Sequence, residues 1–119
     1  MRLLQSFVFL PLLFCWLNAA ADVPVEQQAE VEHLINYLKE SGCPMVRNNK
    51  SYNGKDGASH VRRKYNHFRD WISSTEEFIE YAASKSTKSG EYYEVQCPGE
   101  ESMRSQDWLL MELQAYRNA

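Results

Sequence analysis

The sequence predicts a small α+β domain in which helices cover a two-stranded antiparallel ribbon. Four segments carry apolar residues at spacings of three and four, as amphipathic helices do. Two short segments between polar turns fit β-strands, and a cysteine adjoins each of them. The predicted order of elements is helix, strand, helix, helix, strand, helix.

The first 21 residues have the composition of a cleavable export signal. Arg2 supplies a positive charge, residues 3–17 form an apolar stretch, and the alanines at 19–21 are the small residues that signal peptidase requires. The stretch is too short and too often interrupted for a typical membrane span, and an uncleaved anchor is the alternative. We therefore predict a signal peptide at 1–21, a single domain at 22–119 and no stable membrane insertion after cleavage.

The first predicted helix and the first predicted strand follow the signal segment. The helix covers residues 25–41 between Pro24 and Gly42, which favour a helix start and a helix end. Its apolar stripe consists of Val31, Leu34, Ile35 and Leu38. The strand is predicted at 44–47, and a polar turn at 48–51 and a loop at 53–57 follow it.

Two helices are predicted in the middle of the chain. The first covers residues 58–71, where apolar side chains at helical spacing form one face: Ala58, Val61, Tyr65, Phe68 and Ile72. The next helix starts at a capping box, for which two registers are open: Ser73 with Glu76, or Ser74 with Glu77. It ends near Lys85, and its predicted buried side consists of Phe78, Ile79, Ala82 and Ala83.

The last elements are a polar turn at 86–90, a half-exposed strand at 91–96 and a helix at 105–117. The strand is predicted from its alternation, which points Tyr92 and Tyr93 to opposite faces. We therefore expect one of these tyrosines to pack inward and the other to be exposed. The inward residues predicted for the helix are Trp108, Leu109, Leu113 and Tyr116.

The cysteine count favours one structural disulfide. Cys15 belongs to the predicted signal, so the mature chain retains the pair Cys43 and Cys97. Outside the cytoplasm such a pair favours a bridge over two separate thiols, and C-x-x-C spacing typical of redox sites is missing from the sequence. Cys43 precedes the first predicted strand and Cys97 follows the second. A bridge between them therefore requires the two strands to run antiparallel.

Charge is unevenly distributed along the mature chain. Without Arg2 the chain has 12 basic and 16 acidic side chains, a net charge of −4 that argues against nucleic acid as a partner. Residues 47–70 nevertheless hold seven cations and two aspartates, a net of +5, while the remainder carries −9. This segment predicts either a surface that binds phosphate, carboxylate or acidic glycan or a helix neutralised by acidic neighbours.

Motifs for catalysis and metal binding are sparse. No serine stands in a G-x-S-x-G context, and Lys88-Ser89-Gly90 lacks the Ser-x-x-Lys element that accompanies it in penicillin-binding proteins. Glu30 and His33 form one Glu-x-x-His pair, whereas a metal site in a helix bundle needs two. The three histidines lack zinc-ligand spacing. We therefore expect no metal and no other cofactor, and we assign no catalytic residue.

An ordered set of short motifs across the mature chain resembles a family of small exported bacterial proteins typified by YfeK. The motifs are Ser41-Gly42-Cys43, Val46-Arg47-Asn48, His60-Val61-Arg62-Arg63-Lys64-Tyr65, Thr75-Glu76-Glu77-Phe78-Ile79, Lys88-Ser89-Gly90 with Tyr93, and Cys97-Pro98-Gly99. Asn49 stands where the family usually has glycine, and Val61 stands where it commonly has leucine. The resemblance implies a periplasmic location in a Gram-negative bacterium. It implies no activity, because the family is of unknown function.

Polar positions within these motifs are the candidates for a binding site near the ribbon: Arg47, Asn48, His60, Arg62, Lys64, Ser86, Ser89 and Tyr93. Purely structural roles in a loop, a turn and a helix start are the alternative for several of them. Our leading hypothesis is a non-enzymatic periplasmic module that binds a small anionic ligand, a glycan or an envelope protein. The alternative is a small cell-envelope hydrolase or transferase with His60 as general base, which needs a cleft and a nucleophile or second acid beside His60.

Overall fold

A computed structural model of the chain describes residues 22–119. The predicted signal peptide at 1–21 and its Cys15 lie outside the described residues. The described part has four helices and a four-stranded antiparallel sheet, and the fold is therefore α+β. In chain order the elements are α1 (Val25–Glu40), β1 (Met45–Arg47), β2 (Lys50–Tyr52), α2 (Gly54–Phe68), a 3-10 turn (Arg69–Trp71), α3 (Thr75–Ala83), β3 (Glu94–Val95), β4 (Met103–Arg104) and α4 (Ser105–Arg117).

The disulfide between Cys43 and Cys97 joins the start of β1 to the end of β3. These two strands are antiparallel neighbours, with Met45 opposite Val95 and Val46 opposite Glu94. The predicted bridge and the predicted direction of pairing are both confirmed. The prediction of a two-stranded ribbon is wrong, because β2 and β4 extend the sheet on its two sides in the order β2-β1-β3-β4.

Strand β2 lies in the segment that the sequence predicted as a polar turn and loop. Asn48 and Asn49 form a two-residue hairpin connection between β1 and β2, with backbone φ angles of 48° and 68°. Positive φ at both central residues is the requirement of a type I′ turn, whose twist matches that of the flanking strands. Asparagine tolerates this conformation better than most residues. The turn therefore pairs Lys50 and Ser51 with the residues of β1.

We expect Asn49→Gly to stabilise the domain and Asn49→Ala to destabilise it. Glycine adopts positive φ without strain and completes the Asn-Gly pair that type I′ turns favour, whereas alanine adds a Cβ without the local hydrogen bonding of asparagine. The expected changes in the free energy of unfolding are about +0.5 and about −1 kcal/mol. Urea unfolding of the two variants measures both, and changes of equal sign would contradict the turn assignment.

The predicted strand at 91–96 shortens to β3, and Tyr92 instead forms an isolated bridge with Lys85. Tyr93 is 2% exposed and Tyr92 is 41% exposed, so the expected opposition of the two tyrosines is confirmed. The backbone of Tyr93 is held on both sides, because its N–H donates to the Ser84 carbonyl and its carbonyl accepts from the Ser105 N–H. This anchoring fixes the direction in which the phenol extends.

Helix α2 begins at Gly54, four residues before the predicted start at Ala58. The Asn53 side chain caps the helix by accepting from the Asp56 N–H at 2.8 Å. Gly54 lies against the end of α1, where a Cβ at its position would be 2.6 Å from the Leu38 carbonyl oxygen. The glycine therefore allows α2 to pack closely against the end of α1. The helical segment also ends earlier than predicted, since residues 69–71 form the 3-10 turn.

The core is formed by the apolar faces that the helical spacing predicted. The predicted buried stripes of α1 and α3 are confirmed in full, as are Trp108, Leu109 and Leu113 of α4. Tyr116 is the exception, since it is 38% exposed and its ring stacks on His33 with 4.1 Å between centroids. Helix α3 ends at Ala83, two residues before the predicted end near Lys85.

Helix α3 starts in the second of the two registers that the sequence left open. Ser74 is the N-cap, and its hydroxyl accepts from the Glu77 N–H at 3.1 Å. The Glu77 carboxylate accepts from the N–H of Ser73 at 2.8 Å, one residue before the cap. The capping box is therefore present in a form extended by one residue.

Ion pairs connect the helices at the surface. Arg117 of α4 contacts Glu30 of α1 and Glu76 of α3, with N to O distances of 2.8 and 2.7 Å. Arg62 of α2 forms a bidentate pair with Glu32 of α1 at 2.5 and 2.7 Å. Among residues 22–119, none of the helices combines the length and the apolar character needed to cross a bilayer.

Candidate functional site

A cleft of about 630 Å³ lies between the β1-β2 turn, one face of α2 and the segment that leads from α3 to β3. We call it the cationic cleft. Four cations line it: Arg47, Arg63, Lys64 and Lys88. The other lining residues are Asn48, His60, His67, Phe68, Ser86, Thr87 and Tyr93. The structure thus brings together six of the eight predicted candidates: Arg47, Asn48, His60, Lys64, Ser86 and Tyr93.

Four polar side chains in the cleft form one contiguous network. Arg47 Nη1 lies 2.5 Å from His60 Nδ1 and 2.8 Å from Nε2. His60 Nε2 lies 2.9 Å from the Tyr93 hydroxyl, and Lys64 Nζ donates to that hydroxyl at 3.2 Å. Lys64 also donates to the Lys85 carbonyl at 2.7 Å. Two side chains of α2 therefore contact the phenol of Tyr93, the residue before β3, and Arg47 of β1 joins them through His60.

Donors outnumber acceptors in this network. The guanidinium of Arg47 and the ammonium of Lys64 can only donate. The neutral His60 ring has one nitrogen that accepts and one that donates, and both lie within hydrogen-bond distance of Arg47 Nη1. The Tyr93 oxygen accepts from Lys64. Protons of Arg47 and Lys64 therefore remain without an acceptor in the network.

Burial and neighbouring cations keep His60 uncharged. Desolvation, followed by the charges of Arg47, Lys64 and Arg63, lowers the pKa of His60 to about 4. Burial and the charge of Arg47 also lower the pKa of Lys64. The pKa of Tyr93 is raised, chiefly by burial. At neutral pH the imidazole is therefore neutral and the phenol retains its proton.

We expect His60 to make the domain less stable in mild acid. The pKa of His60 is about 4 in the folded state, against 6.5 for a histidine without these interactions, as in the unfolded chain. As the pH falls from 6.5 towards 4, only the unfolded chain therefore binds this proton. Stability is present above pH 6.5 and is lost across that window. The loss from pH 7 to pH 5 is about 1 kcal/mol after allowance for partial solvent exposure.

Urea unfolding of the wild type and of His60→Gln at pH 7 and pH 5 measures this contribution. Glutamine retains a donor and an acceptor but does not titrate, so the variant is expected to lose about 1 kcal/mol less than the wild type over this interval. Equal losses in the two proteins would contradict the depressed pKa of His60.

Asn48, Ser86 and Ser89 shape the rim of the cleft. The Ser89 hydroxyl donates to Asn48 Oδ1 at 2.7 Å, and the Ser86 hydroxyl accepts from the backbone N–H groups of Lys88 and Ser89 at 3.2 Å. The β1-β2 turn is thereby connected to the turn at 86–90. Ser89 is not a lining residue, and the structure gives it a supporting contact with Asn48.

Arg62 lies outside the cationic cleft, although it was among the predicted candidates. Its guanidinium is paired with Glu32, which neutralises it and lowers the pKa of that carboxyl. Five lining residues were not among the candidates: Arg63, His67, Phe68, Thr87 and Lys88. Arg63 and His67 could have been predicted from the sequence. They follow His60 at spacings of three and four, and residues so spaced share one helix face.

The chemistry of the lining suits an anion. No carboxylate is among the residues of the described chain that line the cleft, so its four cations are not neutralised there. Arg47 Nε is buried and has no hydrogen-bond partner among residues 22–119. Within the same residues no group of three or more His, Cys, Asp or Glu side chains is placed to hold a metal ion.

The fold and the site define a small disulfide-bonded α+β domain with a cationic cleft. Comparison with known sequences shows that the chain belongs to DUF5329, a family of unknown function, which matches residues 25–117. The chain is 32% identical over 82 residues to the uncharacterized protein YfeK of Salmonella typhimurium, an alignment that covers 68% of each chain. The resemblance inferred from the motifs is confirmed. No solved structure matches the chain.

Proposed function

We propose that this protein is an exported periplasmic domain that binds a small anion in the cationic cleft without transforming it. The observation that carries the proposal is the network of donors around Tyr93. His60 and Lys64 contact its hydroxyl, Arg47 contacts His60, and no acidic residue of the described chain lines the cleft. An oxyanion accepts from the donors that this network leaves over, which are the remaining protons of Arg47 and Lys64.

Binding is favoured over catalysis by the protonation states. A cell-envelope hydrolase or transferase using His60 needs a base that titrates near the operating pH and an activated nucleophile. The cleft and the nearby Tyr93 hydroxyl meet the geometric requirement. However, a pKa of about 4 makes His60 a weak base at neutral pH, and the raised pKa of Tyr93 keeps its hydroxyl protonated.

Export is supported by two features of different kinds. The first 21 residues have the composition of a signal peptide, and the Cys43–Cys97 bridge is of a type that persists in oxidising compartments. Fractionation of cells that express the full chain, with mass measurement of the product, tests the proposal. A periplasmic product that starts at Asp22 supports it, and an uncleaved cytoplasmic product overturns it.

Inorganic phosphate is the probe for the anion site. Protein purified after expression of the full chain is titrated with phosphate at pH 7.5 and followed by calorimetry and amide NMR. We expect saturable shifts centred on residues 47–48, 60–64 and 86–93. Lys64→Met is expected to weaken binding at least about tenfold, since a hydrogen bond to a charged group contributes about 1.5 to 3 kcal/mol.

Arg62→Met is the matched control for Lys64→Met. It removes the same charge from the same helix, but Arg62 is paired with Glu32 outside the cleft. The affinity of the Arg62→Met variant for phosphate is expected to stay within about twofold of the wild type, because salt screens the charge of a side chain outside the cleft. Equal weakening by the two variants, or shifts scattered over the surface, would show non-specific attraction and exclude the proposed site.

A further inference from the structure

A second cavity of about 430 Å³ borders the cationic cleft. The two cavities share four lining residues: Lys64, Phe68, Ser86 and Thr87. A phosphate group occupies the volume of only a few water molecules, about 30 Å³ each. The two neighbouring cavities together are therefore of the size that holds a ligand with a body attached to its charged group.

The second cavity differs in chemistry from the first. Phe68 and Tyr81 provide two aromatic rings with centroids 5.9 Å apart and planes inclined by 36°. Tyr81 is 38% exposed, so part of its ring is accessible. Glu80, Lys85 and Thr87 add a carboxylate, an ammonium and a hydroxyl to the lining. The cavity thus combines aromatic surface with polar groups that include the acceptor Glu80.

This combination fits a sugar ring. The C–H groups on one face of a pyranose are apolar and pack against aromatic side chains, while its hydroxyls are donors that a carboxylate accepts. Lys64 and Lys85 line the second cavity together with Glu80, whereas the cationic cleft has four cations and no carboxylate among the described residues that line it. We therefore expect the negative charge of the ligand in the cationic cleft and its hydroxyls in the second cavity.

We infer that the ligand is a phosphorylated sugar whose phosphate lies in the cationic cleft among Arg47, Lys64 and Tyr93, and whose ring lies over Phe68 and Tyr81 with its hydroxyls towards Glu80. The inference rests on the proposed anion site and specifies what the anion belongs to. Lys64 is central to it, because its ammonium lies 5.9 Å from the Phe68 ring centroid and also contacts the Tyr93 hydroxyl.

The test compares inorganic phosphate with glucose 1-phosphate by calorimetry on the full-chain product at pH 7.5. Glucose 1-phosphate is expected to bind at least about tenfold more tightly, which corresponds to about 1.4 kcal/mol of additional binding free energy. Tyr81→Ala and Glu80→Gln are expected to reduce that advantage to about twofold or less while leaving the affinity for inorganic phosphate unchanged.

Tyr92→Ala is the matched control for Tyr81→Ala. Tyr92 is also an exposed tyrosine, but it lies under Arg104 and lines neither cavity. Its loss is expected to leave the advantage of glucose 1-phosphate intact. If the two probes bind equally, or if both tyrosine variants reduce the advantage of glucose 1-phosphate equally, the sugar assignment is overturned. The proposed anion site is not contradicted by either result. Failure of both probes to bind overturns the anion site itself.

Discussion

Replacing Cys43 and Cys97 together by alanine is expected to lower the free energy of unfolding by about 4 kcal/mol. The bridge joins residues 54 positions apart, and on the chain-entropy model the closure of a loop of this length removes about that much from the unfolded state. Domains of this size are stable by about 5 to 15 kcal/mol. The expected loss is therefore a large fraction of the total.

Urea unfolding of the wild type with and without a thiol reductant, beside the Cys43→Ala/Cys97→Ala double variant, measures this effect. The reduced wild type and the double variant are expected to be similarly destabilised, and the reductant is expected to leave the double variant unchanged. A loss below about 1 kcal/mol in both would show that the bridge does not restrict the unfolded chain as the loop model requires.

Gly54→Ala is expected to destabilise the domain by about 3 kcal/mol. Within an ordinary helix the same substitution stabilises by about 1 kcal/mol. Here the added Cβ would lie 2.6 Å from the Leu38 carbonyl oxygen and 3.0 Å from that of Lys39. Both are backbone atoms that cannot rotate away, so α2 must move off the end of α1, and overpacking of this kind typically costs about 1 to 3 kcal/mol or more.

Ser59→Ala provides the comparison within the same helix. Ser59 is exposed, so its replacement by a better helix former is expected to change the free energy of unfolding by about 0.5 kcal/mol or less. Thermal unfolding and urea titration of the two variants distinguish the cases. A Gly54→Ala variant as stable as the Ser59→Ala variant would show that α1 and α2 do not approach as closely as described.

The helices were predictable because burial imposes a period on the sequence. In α1 and α3 each predicted inward residue is buried, since those helices place one apolar stripe against the core. The start of α2 was missed because Gly54 and Gly57 are typical of loops. Only the position of α1 reveals that the absence of a side chain at Gly54 permits helix packing.

The short strands were missed for a related reason. Strand β2 consists of Lys50, Ser51 and Tyr52, a polar triplet without the alternation that marks a half-buried strand. Its signal lies in the preceding Asn48-Asn49 pair, which fits a two-residue turn. Strand β4 has only two residues, too few to show any period.

The positive charge of the candidate site could be predicted from the sequence, but the residues that line it could not. The excess of cations at 47–70 is visible in the sequence, and the motifs contain Arg47, His60, Lys64 and Tyr93. Arg62 and Arg63 are adjacent and chemically alike, yet one pairs with Glu32 and the other lines the cleft. Successive helical residues point about 100° apart, so their roles depend on where α1 packs.

The position of the bridge in the chain has a consequence for proteolysis. All the residues that line the cationic cleft fall between Cys43 and Cys97, while α1 precedes the first cysteine and α4 follows the second. One cut of the backbone anywhere between the two cysteines therefore leaves both fragments covalently joined. Because α1 and α4 also pack against each other, a nicked chain remains one molecule that carries the complete set of cleft residues.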